Sequence, residues 1–86
     1  MNANQRRLVR EFYQSIPTAE DKAKFAEVVE LDRSARVRYA AQLLGKGFVD
    51  EATMNAIIAA GSLTKEDRIA IFSGAIRQWI FSIFGF

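Results

Sequence analysis

The sequence predicts an all-α protein, a compact bundle or orthogonal array of about five short helices. Three observations carry that prediction. The chain is rich in helix-forming Ala, Leu, Ile, Glu and Arg and poor in turn residues, with one proline, Pro17, and five glycines, all from Gly45 onward. No segment sustains the apolar–polar alternation that a half-buried strand requires. Apolar side chains instead recur at three- and four-residue spacing, and most of these runs follow a residue able to cap a helix.

The first helix is expected from Asn4 to Ser15. Leu8, Phe12 and Ile16 recur every four residues with Val9 and Tyr13 beside them, and Pro17 ends the run because it has no amide hydrogen to donate. Thr18 then reads as an N-cap, with Asp21 at the capping-box offset. The second helix runs to Leu31 and buries Phe25, Val28 and Val29. Asp32 or Ser34 caps a third helix through Leu44, where Val37, Ala40, Ala41 and Leu44 fall at the spacing of one helical face. Gly45 is its expected C-terminal stop. Gly45-Lys46-Gly47 reads as a turn, after which Phe48 and Val49 fold back onto the core. Asp50 caps a short fourth helix carrying Met54, Ile57 and Ile58 and ended by Gly61. Thr64 caps the fifth and most apolar helix, again with an acidic residue, Asp67, three places on. The segments Thr18–Lys22 and Thr64–Arg68 are one capping device used twice rather than a repeat, because the apolar patterns that follow them differ. Residues 1–86 are expected to form a single helical domain.

Composition narrows the function. Half the residues are apolar and 26% are charged, the proportions of a folded globule, and a net charge of +2 predicts no general attraction to polyanions. The chain has neither cysteine nor histidine. That removes disulfides, thiolate chemistry, the commonest zinc ligands and the commonest general base near neutral pH. Three acidic pairs remain, Glu20-Asp21, Asp50-Glu51 and Glu66-Asp67. Each falls in the first turn of an expected helix, where the macrodipole favours negative charge, and sequence neighbours on a helix point apart. They read as capping residues, not as acid–base pairs or metal ligands. No calcium-loop, phosphate-loop or dinucleotide motif occurs. No catalytic residue, metal, cofactor or small-molecule substrate is therefore expected.

Two arginine clusters offer a polar contact: Arg6, Arg7 and Arg10, then Arg33, Arg36 and Arg38. Arg6 and Arg10 share a helix face and suit a phosphate or an acidic protein surface. Arg7 can instead pair with Glu11, and Arg36 with Asp32, across one helical turn. All six arginines carry the alternative reading, a nucleic-acid-binding regulator. The stretch from Ala40 to Ala60 has the outline of a helix-turn-helix, but its turn is too long. Its second helix has no Lys or Arg and opens on Asp50 and Glu51, which phosphates would repel. A plain helical hairpin is the better reading.

The segment 69–86 is the strongest signal, with ten large apolar side chains and a single charge, Arg77. Ile69, Phe72, Ile76, Trp79, Ile80 and Ile83 make a stripe that a small core needs. Phe81, Phe84 and Phe86 add apolar area beyond it. The segment can be the central helix, a contact with another protein or a second copy, or a membrane element. The last is disfavoured. At about 27 Å the segment only just spans a bilayer, and Arg77 near its middle costs about 2.5–3.5 kcal/mol on insertion. The expected function is a protein-interaction module, a small adaptor, inhibitor or assembly subunit. It would bury Trp79, Phe81, Phe84 and Phe86 against a partner or itself, with Arg77, Arg6 and Arg10 as polar anchors. Met1 to Arg10 carries charge with no following apolar run, so a cytoplasmic address is expected. The economy of the chain suits an accessory protein of a bacterium or phage.

Overall fold

Each helix begins where a side-chain oxygen is available to the first free amides. The structure, a computed structural model, describes residues 1–72, and every α-helix within it starts at a side-chain cap. Asn2 caps α1 (Ala3–Ser15) in a reciprocal box: its Oδ1 accepts from the Gln5 amide at 2.8 Å, and its own amide donates to Gln5 Oε1 at 3.1 Å. The helix therefore starts one residue before the expected Asn4. Thr18 Oγ1 accepts from the Asp21 amide at 3.1 Å and opens α2 (Ala19–Glu30). Asp32, rather than Ser34, caps α3 (Arg33–Gly45), accepting from Ala35 at 2.9 Å. Asp50 caps α4 (Glu51–Ala59), accepting from Thr53 at 2.8 Å. One 3-10 turn, Ala60–Ser62, follows where the sequence placed Gly61 as a stop. Thr64 Oγ1 then accepts from the Asp67 amide at 3.1 Å and opens α5, which is helical over 65–72. Among the described residues the protein is all-α, with five α-helices and no strand.

The end of α3 corrects the expected stop. Gly45 remains helical, and Gly47 is the residue in the left-handed region, with φ 76°. The Gly47 amide donates to Leu44 at 3.0 Å and the Phe48 amide to Leu43 at 3.0 Å, the paired bonds that close a helix on a left-handed glycine. That turn throws Phe48 outward. Contrary to expectation Phe48 is 70% exposed, while Val49 packs against the core.

The core is organised around Phe25, which is fully buried. Its ring meets Phe12 edge-on at 4.9 Å and lies 6.4 Å from Tyr13, both on α1. It stacks on Tyr39 of α3 at 5.7 Å and meets Phe72 of α5 at 6.0 Å. Phe72 closes the set by meeting Tyr13 edge-on at 4.9 Å. One α2 side chain thus joins three other helices. On the far side, α4 packs against both α1 and α3, with Ala56 and Ile57 fully buried. This nine-residue helix carries one charge, Glu51, and packs between two others.

Several expected core positions shift around their helices. In α1 the buried line is Val9, Tyr13 and Ile16, with Leu8 and Phe12 half-buried at its edge. Val28 is half-buried rather than buried. In α3 Ala40 is buried but Ala41 is exposed, and Tyr39 and Leu43 pack on the core in its place. In α5 Ile71 and Phe72 are buried, and Ile69 is 58% exposed. Two positions apart on a helix of 3.6 residues per turn, Ile69 and Ile71 face opposite sides, and Ile71 takes the core.

Candidate functional site

The concave surface of the protein lies where the C-terminal ends of α1 and α3 meet the start of α2. Pro17 and Thr18 connect α1 to α2 there, beside a groove of about 470 Å³. Phe12, Ile16, Tyr39 and Leu43 supply its apolar lining, and Lys24, Lys46 and Asp21 its charged rim. Burial, and then the nearby Asp21 carboxylate, push the Tyr39 hydroxyl above its ordinary pKa and hold it neutral.

A second, shallower concavity of about 480 Å³ lies beside the first. It shares Phe12, Ser15 and Phe48 with the groove, so these three residues border both. Leu8, Val49 and Thr53 contribute to its lining, and its charged residues are Glu11 and Asp50. Two hydrogen bonds from Thr53, first from its amide and then from its hydroxyl, hold the Asp50 carboxyl below the usual carboxylate range. A depressed pKa means that Asp50 stabilises the fold above its unfolded value, near 3.8, and loses that effect as pH falls through the folded value. Urea melts at falling pH should therefore show an acid-side loss of stability. The Asp50→Asn variant, which keeps the cap oxygen without the charge, should show less of that loss; an unchanged pH profile would remove the assignment.

The arginines are not equivalent. Arg6 donates to the Met1 carbonyl at 2.9 Å. Arg7 bridges Asn4 at 2.6 Å and Glu11 at 3.1 Å, the expected one-turn pair. Arg36 does not pair with Asp32, whose carboxylate is occupied as a cap. Its Nε donates to the Ile58 carbonyl at 2.9 Å and its Nη1 to the Leu31 carbonyl at 2.7 Å. Arg36 therefore ties α3 to the C-terminal ends of α2 and α4, where carbonyls lack helical partners and the dipole favours a cation. Arg10, Arg33 and Arg38 are exposed, and no ion pair engages them among the described residues. Sequence reasoning missed one further cation, Arg68, whose Nε lies 3.2 Å from Glu30 Oε1.

Arg77, Trp79, Phe81, Phe84 and Phe86, the aromatic contact expected from the sequence, lie outside the described residues. Among those described, no group of His, Asp or Glu could hold a metal ion, and no helix is long and apolar enough to cross a membrane. No protein-family model matches the chain, and no curated protein or solved structure is significantly similar to it. The functional reading therefore rests on this chain's own surface.

That surface can seat apolar side chains in the groove and present one exposed aromatic ring beside it. Phe48 was absent from the sequence-derived contact residues. Local sequence carries no signal for this exposure, since the residue after a helix-closing glycine commonly packs back against the last helical turn.

Proposed function

We propose that this chain is a non-catalytic protein-interaction module, an adaptor, inhibitor or assembly subunit that binds a protein partner or itself. The observation that carries the reading is Phe48, 70% exposed at the edge of a groove lined by Phe12, Ile16, Tyr39 and Leu43. An exposed aromatic beside apolar pockets is the usual form of a binding anchor, because its burial removes large apolar area from water at small entropic cost. The aromatics Trp79, Phe81, Phe84 and Phe86, with Arg77, Arg6 and Arg10, are proposed as a further part of the contact on the strength of the sequence.

The alternative, nucleic-acid binding through the six arginines, draws less support. Arg6, Arg7 and Arg36 already donate to groups within the fold, which leaves Arg10, Arg33 and Arg38 as the freer cations. Affinity capture with the full chain, wild type against Phe48→Glu, tests the main reading. A polypeptide held by the wild type and lost from an equally helical Phe48→Glu variant is the expected result. In parallel, anisotropy of a labelled DNA duplex should change little. Duplex binding that weakens steeply with salt, indifferent to Phe48→Glu, would replace the interaction reading with the alternative.

A further inference from the structure

We draw no further inference here: the strongest candidate, the apolar groove at the C-terminal ends of α1 and α3 with the exposed Phe48 at its edge, carries nothing because nothing among the described residues shows what covers it.

Discussion

Phe25→Ala should destabilise the protein by about 3–5 kcal/mol, the range for deleting a buried aromatic. Phe25 is fully buried and its ring meets rings from α1, α3 and α5, so the substitution opens a cavity that no single helix can close. A chain of this length has a total stability of roughly 4–13 kcal/mol, so the loss consumes a large share of it. Urea unfolding followed by circular dichroism should show the midpoint falling sharply with little change in slope. Phe25→Leu, which keeps most of the volume, should lose less than half as much. A Phe25→Ala loss below about 1 kcal/mol, an ordinary surface value, would mean that Phe25 is not the organising side chain.

The second large effect concerns Arg36. Removing a cation hydrogen-bonded to two helix-end carbonyls should cost about 1.5–3 kcal/mol. Arg36→Lys should recover little, because a single ammonium cannot reproduce a planar fork that reaches Ile58 and Leu31 together. Gly61 provides an independent check. A Cβ at position 61 would land on the Arg36 guanidinium, so Gly61→Ala should displace it and cause a comparable loss. In the Arg36→Ala background the same substitution should be nearly neutral, a coupling that a double-mutant cycle measures directly. If Arg36 instead served a polyanion, Arg36→Ala would leave stability unchanged and reduce a salt-sensitive binding signal. Additive losses from Arg36→Ala and Gly61→Ala would also remove the proposed tie.

The sequence is legible where a signal is contained within a few residues. Thr18, Asp32, Asp50 and Thr64 each hold an amide three positions on, a contact set entirely by local geometry. The absence of alternating segments excluded a sheet before any packing was considered, and the arginine-to-glutamate pair of α1 follows from one-turn spacing alone.

What those local patterns left open was which part of each apolar stripe meets a neighbour. Leu8 and Val9, Ala40 and Ala41, and Ile69 and Ile71 are chemically near-equivalent but point different ways from their helices, and only a neighbouring helix chooses between them. The same holds for the site. Phe48 looks like a core residue in composition, and only the left-handed turn at Gly47, with Val49 taking the inward place, puts its ring on the surface. Arg36 looks like a free surface cation until α4 brings the Ile58 carbonyl to it, 22 residues away in sequence. Capping and periodicity are properties of one segment and are written into it. Burial, and the grooves that burial leaves, are relations between segments, and they exist only once the helices have packed.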